Sequence, residues 1–181
     1  MKTMVMFIVA LCFSDFAVSG PQVPVTGVVQ NSIHVTTPSG KLQIIAVNHE
    51  VTRSDIKFED FNFDGVTDLK VLRDRGANQE FYDVYLYSKR SGLYQFNEEM
   101  SDLPCIEADA KRKEVIGACF HESACENWEE HYSITSKGKL SLVGKTGTYC
   151  VPTGEAYAYT ERYKNGKRIS SQVREIKWRS E

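Results

Sequence analysis

A chain of 181 residues with 22 lysines and arginines against 24 aspartates and glutamates carries a formal charge of −2. That balance excludes a nucleic-acid footprint, which needs clustered basic charge, and no Lys/Arg stripe runs among the aromatics. The longest apolar run, Met4 to Phe13, is too short to span a bilayer.

The chain opens like an export signal. Lys2 gives a positive start, Met4 to Phe13 an apolar stretch, and Ala17-Val18-Ser19 the small residues a signal peptidase reads. Cleavage is expected before Gly20, making residues 1–19 a signal peptide and 20–181 a single β-rich domain of 162 residues. Cys12 follows Leu11, where a lipid-anchoring site has a small residue, so a soluble periplasmic protein is favoured over a lipoprotein. The shortness of the apolar run disfavours an uncleaved anchor, and no transmembrane segment is expected in the mature chain.

Two runs rich in β-formers, Ser32 to Thr36 and Leu42 to Val47, flank a Pro38-Ser39-Gly40 turn. Next comes the most informative segment, Asp60-Phe61-Asn62-Phe63-Asp64-Gly65-Val66-Thr67-Asp68. It reads D-x-N-x-D-G-x-x-D. Calcium is a hard cation that takes six to eight oxygen ligands. Side chains on alternate residues of a tight loop can converge on one ion. Asp60, Asn62 and Asp64 supply the alternation, Gly65 the sharp turn, the Val66 carbonyl a further oxygen, and Asp68 closes the site. The bidentate Glu of an EF-hand would fall at Val71, and Leu69 to Leu72 reads as a strand, so the loop is expected to join strands. The plainer alternative is a solvated Asp/Asn/Gly turn.

Further along, Asp83 to Tyr87 alternates and leads through Lys89-Arg90-Ser91-Gly92 to a returning Tyr94 to Phe96. Asn97 to Leu103 has room for one or two helical turns. Ile106 and Val115-Ile116 flank a charged turn, and His131 to Thr135 and Leu140 to Val143 flank Lys137-Gly138. Glu155 to Tyr163 and Arg168 to Trp178 are joined by Asn165-Gly166, the strongest short hairpin signal. The expected fold is mainly β: an antiparallel meander of hairpins in one large twisted or two-layered sheet, with a calcium loop between strands.

Cys105, Cys119, Cys125 and Cys150 follow the signal, an even number that suggests two disulfides in an exported chain. Three connectivities are open. Folding about the turns near Lys111 and Lys137 favours Cys105–Cys119 with Cys125–Cys150; pairing Cys119 with Cys125 across a short loop would leave Cys105 with Cys150.

The stretch Phe58 to Leu69 resembles the signature of bacterial periplasmic proteins with an FG-GAP-like calcium loop. The likeness runs on through Tyr82 to Tyr87, Phe96 and Leu103, to His131-Tyr132-Ser133-Ile134 and Gly138-Lys139-Leu140, covering residues 55–143. That family includes immunity proteins against cell-wall-degrading effectors of a type IV secretion system, similar in fold to periplasmic inhibitors of invertebrate-type lysozyme. The resemblance implies a Ca2+-binding protein whose partner is a peptidoglycan hydrolase. The four cysteines and His121 match nothing in its pattern. A lysozyme works with two carboxyl groups around a sugar cleft, which an inhibitor can block with a small polar loop. Ser91, Gly92 and Tyr94 form a Ser-Gly-x-Tyr element similar to one in lysozyme inhibitors, although Ser-Gly is also ordinary in a β-turn. The glycine-punctuated Lys145 to Tyr149 is the second candidate.

An enzyme is disfavoured. None of His34, His49, His121 and His131 lies in a catalytic motif, and the adjacent Glu129 and Glu130 point to opposite faces of a strand. Trp128 and Trp178 read as packing residues, whereas Tyr157, Tyr159 and Tyr163 share a strand face that is either packed or a binding surface. A calcium-stabilised adhesion or scaffold module of the cell envelope is the alternative class.

Overall fold

The computed structural model describes residues 25–135 and 137–177; the expected signal peptide and Trp178 lie outside them. Thirteen strands among the described residues form three antiparallel sheets, each a meander in chain order. The first sheet holds β1 (Val25–Val29), β2 (Ser32–Thr36) and β3 (Leu42–Ala46). The second holds β4 (Ile56–Glu59), β5 (Asp68–Arg75), β6 (Glu80–Ser88) and β7 (Leu93–Phe96). The third holds β8 (Glu107–Asp109), β9 (Glu114–His121), β10 (Asn127–Ile134), β11 (Leu140–Cys150), β12 (Ala156–Lys164) and β13 (Lys167–Ile176).

The mainly β, antiparallel expectation is met, and the expected large twisted or two-layered sheet is divided into three. The ladder breaks twice. Between β3 and β4 the chain makes a 3-10 turn, Arg53–Asp55, closed by reciprocal bonds between Thr52 and Asp55. Between β7 and β8 it makes one helical turn, α1 (Glu98–Ser101), where the Asn97 side chain accepts the Met100 N–H as an N-cap. Ser101 is almost fully buried and its hydroxyl accepts the Val84 N–H, tying the helix to β6.

The second sheet is the middle layer, because period-2 alternation gives it two apolar faces. Leu69, Val71, Tyr85, Tyr87 and Tyr94 pack with Ile33, Val35 and Ile45 of the first sheet. Tyr82 and Val84 face the other way, onto Phe61, Met100, Leu103, Ile106 and Val115. Lys70 lies in that second core at 3% exposure. Its ammonium is 2.5 Å from Glu59 Oε1, donates to the Ile106 carbonyl at 2.9 Å, and sits 4.9 Å from the Tyr82 ring centroid. A buried charge so paired and bonded is tolerated. The third sheet outruns the second: all of β13 but Ile176 is exposed, with Lys167, Arg168, Arg174 and Glu175 guarding a free edge.

Candidate calcium loop and partner-binding segments

The Asp60–Asp68 loop joins β4 to β5, as its lack of flanking helices implies. Its apolar residues anchor it: Phe61 is fully buried and Phe63 packs against the second core. The polar residues between them are thereby turned outward. The Asp64 N–H is 3.1 Å from both Asp60 Oδ1 and Asn62 Oδ1, so these two oxygens converge. Asp60 Oδ2 accepts the Gly65 N–H at 2.9 Å, and Asp64 Oδ1 accepts the Val66 N–H at 2.9 Å. Gly65 has φ +84°, with open space around its Cα, so its role is conformational.

Asp68 is turned inward, away from solvent. It is fully buried; Oδ2 accepts the Phe61 N–H at 2.9 Å and Oδ1 the Tyr87 N–H at 2.7 Å. Burial pushes its carboxyl up to about 7 against the pull of those two bonds. The carboxylate clips the loop start to β6 just where β5 begins. An ionised carboxylate offers about four acceptor positions, so the clip leaves lone pairs for a cation. Lys89 flanks the loop, donating to the Asp64 carbonyl at 2.9 Å with its ammonium 3.2 Å from Asp64 Oδ2.

The donor set fits calcium in kind: carboxylate, amide and carbonyl oxygens only. Among the described residues no three His, Cys, Asp or Glu side chains are gathered closely enough to hold a metal by themselves. The loop relies besides on Asn62 and the Val66 carbonyl. If calcium binds here, it stabilises the fold by mass action. Calcium is then expected to raise the melting temperature of the native chain, and Asp64→Ala to remove the difference between calcium and chelator. An undiminished calcium shift in Asp64→Ala, followed by differential scanning fluorimetry, would reject the site.

The first partner-binding candidate is not a projecting loop. Lys41 donates to the Ser91 carbonyl at 2.8 Å and Ser39 to the Gly92 carbonyl at 3.1 Å, so the first sheet's hairpin lies against it. Gly92 has φ +71°, and a Cβ there would stand 2.8 Å from Ser39 Oγ. Tyr94 is 3% exposed, edge-on to Tyr87 at 5.6 Å, with its hydroxyl held up in pKa by burial and 3.4 Å from the Thr67 carbonyl. It has no exposed ring to offer a partner. Truncating it would cost fold stability, as large-to-small core changes do.

The second candidate, Lys145 to Tyr149, is also no loop: it lies inside β11, paired with β10 and β12. Both disulfides follow the sequential pairing, Cys105–Cys119 and Cys125–Cys150, each with Cα atoms 5.8 Å apart. His131 is buried at 5% exposure. Its Nδ1 is 3.2 Å from Glu114 Oε2 and its Nε2 3.2 Å from Glu129 Oε1, a packed histidine tying β10 to β9. Glu130 instead accepts the Tyr132 hydroxyl and faces Lys145, so Glu129 and Glu130 do point apart.

The chain matches no family model and no curated protein sequence. Among solved structures it is similar to one titled "Structure of a Xanthomonas Type IV Secretion System related protein". The likeness covers 81% of this chain and 78% of that one, with a TM-score of 0.61 at 16% identity. At that identity the shared property is the fold alone, and the two disulfides of this chain are compatible with export.

Proposed function

We propose that this protein is exported to the periplasm, binds calcium at the Asp60–Asp68 loop, and inhibits a peptidoglycan hydrolase of lysozyme type. The supporting observation is the likeness of fold to a type IV secretion related protein across four fifths of the chain. It agrees with the resemblance carried by Phe58 to Leu69, and the two disulfides suit an oxidising compartment. Calcium is structural in this reading, since the loop is anchored by Phe61 and clipped by Asp68 to the central sheet. The protein acts by binding and performs no chemistry of its own.

The test is turbidimetric clearing of peptidoglycan by a panel of purified muramidases, with and without the mature chain and calcium. At least one muramidase is expected to slow tenfold or more at a stoichiometric amount of inhibitor, which needs a dissociation constant about a hundredfold below the enzyme concentration. Full activity across the panel, with no complex seen by size exclusion, rejects the reading.

A further inference from the structure

The Cys105–Cys119 bond stands on unusual backbone. Among the described residues six that are not glycine have positive φ, and two of them are the two ends of this bond, Cys105 at +46° and Cys119 at +62°. An L side chain in that region crowds the neighbouring carbonyl oxygen. Gln30, Lys113 and Asn165 adopt it in hairpin turns and Phe63 in the Asp60–Asp68 loop. Cys105 adopts it in the turn before β8, and Cys119 inside β9 itself. Neither end of the Cys125–Cys150 bond has a positive φ.

The strand around Cys119 is deformed to match. Phe120 pairs with Trp128 and Gly117 with Glu130, so Ala118 and Cys119 together stand against Glu129. That is a bulge, the device by which a strand is re-aimed beside a site. Backbone in a sparsely populated region persists only where its surroundings hold it there. Besides the sulfurs, hydrogen bonds do so. The Ala118 N–H donates to the Pro104 carbonyl at 2.9 Å, the Cys105 N–H to the Glu80 carbonyl at 2.7 Å, and the Gln79 side chain to the Cys119 carbonyl at 3.0 Å. None of these needs the sulfur bridge. They keep the two cysteines neighbours when the bridge is open, so it can close again.

A reductant has a way in. Cys105 and Cys119 are half-buried and line an open cleft of about 430 Å³ whose other walls include Gln79, Glu80 and Ile106. Strained or exposed disulfides are the labile, regulatory ones, and relaxed ones are structural. In this protein strain and exposure point to different bonds, since Cys150 is exposed while the positive φ values belong to Cys105 and Cys119. Access acts on the rate of exchange. Strain acts on its equilibrium, which is where the two bonds are to be compared.

We propose that Cys105–Cys119 is a redox latch between the second and third sheets, opened by a dithiol reductant while the chain stays folded and Cys125–Cys150 stays closed. One thiolate of the dithiol attacks a sulfur of the bridge. The S–S bond breaks, giving a mixed disulfide and one cysteine thiolate. The second sulfur of the dithiol then attacks the mixed disulfide. The reductant leaves as its own disulfide, oxidised by two electrons, and Cys105 and Cys119 take up its two protons as thiols. Opening lets the β9 bulge relax, and with it the Phe120 ring stacked on Trp128 at 5.5 Å. The latch does not depend on the inhibitor reading.

The experiment equilibrates the full mature chain with graded ratios of reduced to oxidised dithiothreitol, without denaturant. Acid quenching, alkylation and peptide mass mapping then count the free thiols at each cysteine, and circular dichroism follows the fold. Cys105 and Cys119 are expected to be half reduced at a ratio about tenfold or more below that for Cys125 and Cys150, the weight of one strained residue. Circular dichroism should not change across the first step, and oxidised dithiothreitol should restore the bond. In NMR spectra of the singly reduced chain, the Cα shifts of Cys105 and Cys119 should leave the left-handed range and the Trp128 indole signal should move. Opening of Cys125–Cys150 first, or of both bonds at one ratio, overturns the inference. So does unfolding at the first step, which would make the bond a structural staple. Cα shifts that stay in the left-handed range after reduction overturn it as well, since the bridge would then not be what holds that backbone.

Discussion

Asp68→Ala is expected to lower unfolding free energy by about 2–6 kcal/mol, since it strands two buried N–H groups at about 1–3 kcal/mol each. The Phe61 and Tyr87 N–H groups have this carboxylate as their acceptor, and Asp68 is fully buried. Against a total stability of roughly 5–15 kcal/mol for an ordinary domain, such a loss brings the chain near its folding threshold. Asp68→Asn is no conservative control. Its amide keeps one acceptor oxygen and turns an NH2 donor toward the other backbone donor, so it should recover only part of the loss. Urea titration in chelator isolates this clip from any contribution of calcium. A midpoint within error of the parent for Asp68→Ala would show that the two N–H groups find other acceptors.

The chain's alternation revealed where strands lie better than what covers them. Asn165-Gly166, Lys137-Gly138 and Ser39-Gly40 all turn between paired strands, since each turn needs a glycine in the left-handed region and the flanking runs alternate. The disulfide pairing was legible only in part: the turns near Lys111 and Lys137 favoured Cys105–Cys119 with Cys125–Cys150, but the short loop between Cys119 and Cys125 left another pairing open. Period-2 spacing, however, says only that Tyr85 and Tyr87, or Tyr157 and Tyr159, share a face. Tyr87 and Tyr94 are in a core and Tyr157 and Tyr159 are not, because the first sheet covers the former and the third sheet runs past its neighbour. That difference depends on sheets brought together from distant segments, so Tyr94 looked like a contact residue and is a core residue. Gly147 misled in the opposite sense. A glycine between threonines reads as loop punctuation, yet here it marks a close approach of rings within a strand. The loop itself was readable because Phe61 and Phe63 alternate with Asp60, Asn62 and Asp64, separating anchor from mouth; the inward turn of Asp68 was not, because it answers an N–H on a strand nineteen residues away.

Loss of the Cys125–Cys150 bond is the second large effect. The link spans 25 residues and the Cys105–Cys119 link 14. Loop-closure entropy of the unfolded chain then assigns about 3.5 kcal/mol to the former and about 3 kcal/mol to the latter. Their sites of action differ more than their sizes. Cys105 and Cys119 join the segment before β8 to β9, where the Cys105 N–H donates to the Glu80 carbonyl and Gln79 donates to the Cys119 carbonyl, so this bond pins the third sheet to the second. Cys125 lies in the β9–β10 connection and Cys150 ends β11, with the Thr148 hydroxyl donating to the Cys125 carbonyl at 2.7 Å. That bond secures the outer end of the sheet, one residue from Tyr149 and its stack on Tyr157. Serine at both Cys125 and Cys150 should therefore lower stability by about 3.5 kcal/mol and speed amide exchange first at the outer ends of β11 and β12. Serine at Cys105 and Cys119 should instead loosen β8 and β9. Hydrogen exchange read strand by strand separates the two, and identical exchange maps for both double variants would show that the bonds act only on the unfolded chain.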